Sequence, residues 1–442
     1  MTRRGASIDA SREIGIPSVT PVKAAHDALA TIGSSPAVRT AIVALVLLVV
    51  LFARRFAQML DPQVWDEEGI IIHQAVQHGP LSIFFPLDGY LTVLPRLISC
   101  IALLFPFADY PRIAVTLTWV AIIGMLLAVS LVPSRLRGGP LIALTALLVP
   151  SNPEIFGLPL YTFWLTIPLL YAAYFWETNR RVMWWRVAAI VTAGLSAPAI
   201  LLAAPLYAVS AIVTRTRDSV AAAIPAVACA LIQYFSLQQT AVRPAHFDVS
   251  MIATTVGKLF GGYLTWDLLA ADNTRWAITL VVGWLTLGFV ALVTLLDTRL
   301  RSVLIPLLYL WLGSAALTAA RIDVNVIDQV DAGPRYFFLT FMVEGWVFVQ
   351  IALAARVAAV RWIAALALLG ALFNCLPVLS RTHVDLGWQD SIAACANLPG
   401  SSACQIPIQY DGGASPHWNL LLNADDCRRL RRFGFIGLLF KP

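Results

Sequence analysis

The chain has 442 residues, 59% of them hydrophobic and only 13% charged, with a net charge of +6. A soluble globular domain carries about a quarter charged residues, so a mean hydropathy of +0.76 excludes that class. The excess positive charge is modest and forms no long block of one sign, which argues against a nucleic-acid partner.

Residues 1–36 are polar, lack a signal-peptide core and carry Arg3, Arg4, Arg12 and Lys23 ahead of Arg39. They read as a cytoplasmic tail followed by an uncleaved span, "AVRTAIVALVLLVVLFA" at 37–53. Arg54 and Arg55 at its far end are expected to snorkel or to serve the outer face. Further apolar runs fall at 111–132, 139–150, 160–176, 187–213, 219–237, 277–296, 302–320, 336–355 and 362–379. Between several of them lie the basic stretches "SRLRGG", "ETNRRVMWWR", "TRTRDS" and "DTRLRS" and the ends of "RVAAVR". Placing all five in the cytoplasm makes 187–213 a pair of short half-spans broken at "LSAPA". The expected fold is an all-α polytopic membrane protein with about eleven transmembrane helices. A second register counts "TVLPRLISCIALLFPF" as a span and keeps 187–213 whole. It leaves Arg135, Arg137, Arg180 and Arg181 outside, so the first register is preferred. Both put a small segment, 381–442, outside a transmembrane domain of 37–380.

The first external loop, 58–110, contains "WDEEG", three carboxylates in a row. Behind it, Ile71, Ile72, Ala75 and Val76 share one helical face and His73, Gln74, Gln77 and His78 the other, until Gly79-Pro80 ends the pattern. This predicts a short amphipathic helix lying in the membrane interface. Asp66, Glu67 and Glu68 stand where a helix dipole favours negative charge. One acid suffices as a cap, and Asp66 is the expected one. Three adjacent acids repel, which raises at least one pKa and marks a functional cluster. Asp88-Gly89 is a turn signal, with Tyr90 opening the next apolar helix. Arg96 inside that helix either snorkels or holds an anion such as phosphate.

Farther along, "PSNPEIFGLP" offers Asn152 and Glu154, or simply a helix-capping turn. "VRPAHFD" contributes Arg243, His246 and Asp248. "DAGPRYFF" sets Arg335 and Tyr336 where a helix re-enters the membrane; Arg335 can grip a phosphate in bidentate fashion, or pair with Asp331 or lipid headgroups. The tail holds an expected strand, "CQIPIQY", a basic-aromatic stretch, "CRRLRRFGF", suited to anionic headgroups, and Cys395, Cys404 and Cys427. A Cys395–Cys404 bridge is expected in an oxidising compartment, with one thiol left over. No Cys/His spacing suggests zinc. The tail reads as a lid or packing element.

The N-terminal anchor, an external loop whose acids open an amphipathic helix, and the many further spans together resemble the GT-C glycosyltransferases. The stretches "WDEEG…FFPLDGYLTVLPRLI", "NPEIFGLPLYTFW" and "AGPRYFF" look like those of bacterial GT-C-like proteins of the plasma membrane. The resemblance implies transfer of a sugar from a polyprenyl-phosphate donor to a cell-envelope glycan or lipid acceptor, on the external face. It maps an acidic pair onto Glu67 and Glu68, while the additional Asp66 leaves the choice of base open. It also suggests Glu154 as a second acid, by position only. In that chemistry a carboxylate takes the proton of the acceptor hydroxyl. Arg96 and Arg335 stabilise the departing phosphate, with Asn152, Glu154, Asp88, Tyr90 and Tyr336 as further substrate contacts. Direct attack inverts the anomeric centre. No cofactor is predicted, although three acids could accept a divalent metal. The alternatives are a transporter or flippase of lipid-linked saccharides, and a polymerase or ligase using the same donors. The absence of a visible repeat and the one-sided acids count against transport.

Overall fold

A computed structural model describes residues 35–177, 179–238, 251–265, 273–409 and 418–434. Arg243, His246 and Asp248 lie outside these described residues. The chain divides into two units, 1–43 and 44–442, and the candidate site belongs to the second.

The described chain is mainly helical. Seven of its helices are long and apolar enough to cross a membrane: Pro36–Leu60, Phe107–Leu131, Arg217–Gln238, Trp276–Leu296, Arg301–Arg321, Pro334–Ala354 and Ala358–Val378. The protein is therefore membrane-embedded by length and composition. Val93–Ala102, Thr162–Phe175 and Ile200–Thr214 are shorter apolar helices. The first of these has ten residues, and the helix in the run at 139–150, a crossing in both registers, has nine, so helix length does not choose between the two registers. The run at 187–213 breaks as expected: one helix ends at Gly194 and the next starts at Ile200, because the proline of "LSAPA" cannot continue the ladder. The helix Pro334–Ala354 is the most enclosed of the seven. It packs against Gly139–Leu147, Arg301–Arg321 and Ala358–Cys375.

The helix Pro36–Leu60 is interrupted at Arg55, whose φ −144° and ψ 44° are non-helical. Arg54 and Arg55 are both fully buried, which removes snorkelling from the two expected roles, snorkelling or serving the outer face. Arg54 donates to the carbonyls of Val149, Ser151 and Val378. The Arg55 guanidinium stacks 4.7 Å from the Trp65 ring centre. Each thereby ties the first span to a loop rather than to headgroups.

The predicted helix behind the acids forms over Glu68–His78, and Gly79 ends it at φ 68°. Its apolar face does not lie open to the membrane. Ile71, Ile72 and Ala75 are buried, and the helix packs on the antiparallel hairpin formed by β3 (Ala403–Ile408) and β4 (Trp418–Asn423). The strand expected in "CQIPIQY" is β3. Its inward residues Ile406 and Ile408 join Ile72, Ala75, Leu420 and Trp388 in one core. Fully burying an isoleucine contributes about 1.5–3 kcal/mol, so the C-terminal segment holds the acid helix in place. Before it, β1 (Pro86–Leu87) and β2 (Tyr90–Leu91) form a two-residue hairpin. Asp88 and Gly89, at φ 48° and 88°, supply the primed turn its twist requires. Tyr90 thus belongs to a strand, and the following helix opens at Val93.

Candidate active site

The three acids part company. Trp65 is fixed first: its indole donates to Gln58 Oε1 at 2.9 Å, and the guanidiniums of Arg55 and Arg381 lie 4.7 and 5.0 Å from its ring centre. The chain then enters the C-terminal hairpin's register, since Asp66 N–H donates to Gln409 O and Gln409 N–H donates to Val64 O. Asp66 takes a left-handed φ of 44°, which an aspartate tolerates better than most residues. The helix N-cap is Glu67, not Asp66, and its side chain makes no capping bond.

Glu68 turns inward, 1% exposed. Its Oε1 accepts from Tyr110 Oη at 2.8 Å. Burial pushes its carboxyl up to about 8, with the Tyr110 bond opposing the rise. Asp66 and Glu67 turn the other way, toward Tyr161. The Tyr161 hydroxyl donates to Asp66 Oδ2 at 3.0 Å and lies 3.5 Å from Glu67 Oε2. Burial pushes Asp66 up to about 7, with the neighbouring charges of Glu67 and Glu154 adding to the rise. The same burial raises the Tyr161 phenol well above its usual value, so it stays a proton donor at neutral pH.

Tyr161 also joins this pair to the second expected cluster. Arg335 Nη1 donates to the Tyr161 oxygen at 3.3 Å and forms an ion pair with Glu154, whose backbone partner is Arg335 N–H at 3.3 Å. Glu154 is 1% exposed. Of the alternatives for Arg335, the ion-pair partner is thus Glu154 rather than Asp331. Asn152 serves the frame: it donates to Val330 O at 3.1 Å and accepts from Arg381 at 3.5 Å.

Beside this network is a cavity of about 330 Å³, within the size range of small-molecule sites. Its lining combines the polar groups of Glu67, Asp88, Tyr90, Tyr161, Arg321, Arg335 and Tyr336 with the apolar side chains of Trp164, Ile167, Leu201, Leu237, Leu317 and Leu339. Arg321 donates to Asp88 O at 3.1 Å, joining the small hairpin to the end of a span.

The structure therefore brings together Asp66, Glu67, Glu154 and Arg335, and sets Asp88, Tyr90 and Tyr336 on the same cavity. Glu68 and Arg96 stand apart. Arg96 is buried beneath the small hairpin, with Nη2 donating to Pro86 O at 3.4 Å, and it does not line the cavity. Asp66, Glu67 and Glu68 do not converge as a three-ligand group. Among the described residues only Cys395, Cys404 and Cys427 do so.

Sequence reasoning missed Tyr161, Arg321 and Arg381. Tyr161 sits inside "NPEIFGLPLYTFW", a stretch singled out for its neighbours, but only tertiary folding shows it between four charged side chains. Comparison with protein-family models, with curated proteins and with solved structures returns no match.

Proposed function

We propose that the protein is a membrane glycosyltransferase that moves a sugar from a polyprenyl-phosphate donor to a cell-envelope glycan or lipid acceptor. The observation that supports this most is the mixed lining of the cavity. A lipid-linked phosphosugar is charged at one end and hydrocarbon at the other, and the lining offers both cationic and apolar side chains. The lipid would lie against Trp164, Ile167 and Leu317. Arg335 and Arg321 would face the phosphate, where cations stabilise charge developing on a leaving group.

Glu67 is the base in this reading, because it is the one acid of the three that lines the cavity. It takes the proton of the acceptor hydroxyl as that oxygen attacks the anomeric carbon, and the bond to the donor phosphate breaks. Asp66 and Glu154 are positioning residues: through their contacts they hold Tyr161 and Arg335 at the cavity. The active face would be external, with the preferred register of about eleven crossings.

One observation favours the rival transporter or flippase. Glu344 lies fully buried within the span Pro334–Ala354, with the Trp311 side chain as its hydrogen-bonding neighbour among the described residues; carboxyls inside membranes often mark ion or substrate paths. A structure in nanodiscs with saturating polyprenyl phosphate separates the readings. The glycosyltransferase predicts phosphate density beside Arg335 and Glu67 with the chain against Trp164. Phosphate near Glu344, or none in the cavity, would overturn it.

A further inference from the structure

The C-terminal segment gathers three sulfurs from three elements. Cys395 lies on the helix Trp388–Asn397, Cys404 on β3 and Cys427 on the helix Ala424–Phe433. All three are buried, at 3%, 8% and 0% exposure, and their Sγ atoms lie within 4.8 Å of one another. The Cα of Cys395 is 5.6 Å from that of Cys404 and 6.2 Å from that of Cys427. Both separations fall within the roughly 4.4–6.8 Å that a disulfide spans. The third pair of sulfurs, Cys404 and Cys427, is 3.7 Å apart.

One sulfur forms one disulfide, so the 395–404 and 395–427 bridges exclude each other, and whichever forms leaves a thiol against it. We propose that these residues are a thiol–disulfide exchange centre, in which Cys395 is tethered alternately to β3 and to the last described helix. In the exchange the Cys427 thiolate attacks Cys395 Sγ, the Cys395–Cys404 bond breaks, and Cys404 leaves as thiolate. The proton lost by Cys427 ends on Cys404. No oxidant or reductant is consumed, because one disulfide replaces another. Holding the attacking sulfur beside the bond supplies the proximity that such steps need.

A metal site is the other use of three sulfurs. Among the described residues no fourth His, Cys, Asp or Glu joins the group, whereas a structural zinc takes four ligands. The exchange also has a consequence within reach of the acids. At its far end β3 is continued by Gln409, which exchanges two backbone hydrogen bonds with Val64 and Asp66. The 395–404 tether therefore braces the strand that meets the acid segment, whereas the 395–427 tether joins Cys395 to the last described helix instead.

The full chain, purified without reductant, is acid-quenched, alkylated with N-ethylmaleimide and digested with pepsin for peptide mass mapping. Both linkages are expected in the unsubstituted protein, with the alkylated thiol on Cys427 in one population and Cys404 in the other. Cys427→Ser should hold all of the protein as 395–404, and Cys404→Ser all of it as 395–427. One fixed linkage in the unsubstituted protein at every pH from about 6 to 9, where thiolate is available, would overturn the proposal. So would three alkylated thiols, or a stoichiometric metal. The mapping of the unsubstituted chain decides the matter even where a variant fails to fold. It is also independent of the glycosyltransferase reading.

Discussion

Arg335 illustrates how the structure changes what a substitution should do. From the sequence it is a phosphate clamp, so Arg335→Ala would weaken donor use and leave expression intact. In the fold its guanidinium is the ion-pair partner of a buried Glu154, and stripping one partner from a buried pair costs about 3–5 kcal/mol. Arg335→Ala is expected to lower the melting temperature and the yield, and Arg335→Ala with Glu154→Gln to recover much of both; a normal melt for Arg335→Ala would contradict the pairing. The acids add a pH dependence with a definite sign. Burial raises Glu68 to about 8 and Asp66 to about 7, above the range of about 4 found in an unfolded chain. The folded state then holds protons that the unfolded state has released, so this stability is present at low pH and is lost as pH rises through 7–8. The melting temperature in detergent should fall between pH 5.5 and 8.5, and Glu68→Gln, which still accepts from Tyr110, should flatten that fall. An unchanged slope would mean Glu68 is not buried as described. That the acids are special was legible in their adjacency. Which of them faces the cavity was not, since the periodicity of one helix cannot say what packs on either side.

At the scale of elements, the pattern over Ile71–Val76 was sufficient to place a helix, and Asp88-Gly89 to place a turn. It was insufficient to say what covers the helix, because an apolar face looks the same whether lipid or β3 lies on it. The loop between Leu147 and Thr162 is similar. Its prolines announced irregular backbone, but not that it would carry Glu154 and Tyr161 to the acids. Gly157 makes this path possible. Its φ is +71°, and an added Cβ would stand 3.0 Å from Trp119 Nε1 and 3.6 Å from Arg55 Cβ. Gly157→Ala is therefore expected to destabilise the chain by more than the about 0.4–1 kcal/mol that such a change gains at an unstrained site. Thermal melting checks this, and a gain in stability would show that the loop takes another conformation. The same reasoning explains Arg54 and Arg55. Two arginines at the end of an apolar run resemble snorkelling residues, and only the contacts with Trp65 and with the Val149 and Ser151 carbonyls reveal them as internal fastenings.

For the whole molecule, hydropathy identified a membrane protein, and the seven long apolar helices agree. Its sidedness rests on the basic loops. Single cysteines at exposed positions test it: Leu81→Cys and Gln389→Cys should react with an impermeant maleimide on intact cells, read against the unsubstituted chain. Thr216→Cys and Thr298→Cys should be protected until the cells are opened, and the reverse pattern would invert the proposed orientation. The central claim, that Glu67 is the base of a sugar transfer from a polyprenyl phosphate, is tested most directly by donor turnover. The purified protein in nanodiscs is given polyprenyl-phosphate sugars with an envelope extract as acceptor, and release of polyprenyl phosphate is followed. The unsubstituted protein should release it, and Glu67→Gln, at matched folding, should be slower by roughly two to four orders of magnitude, with Glu68→Gln close to the unsubstituted rate. Equal turnover by Glu67→Gln and the unsubstituted protein would contradict the account.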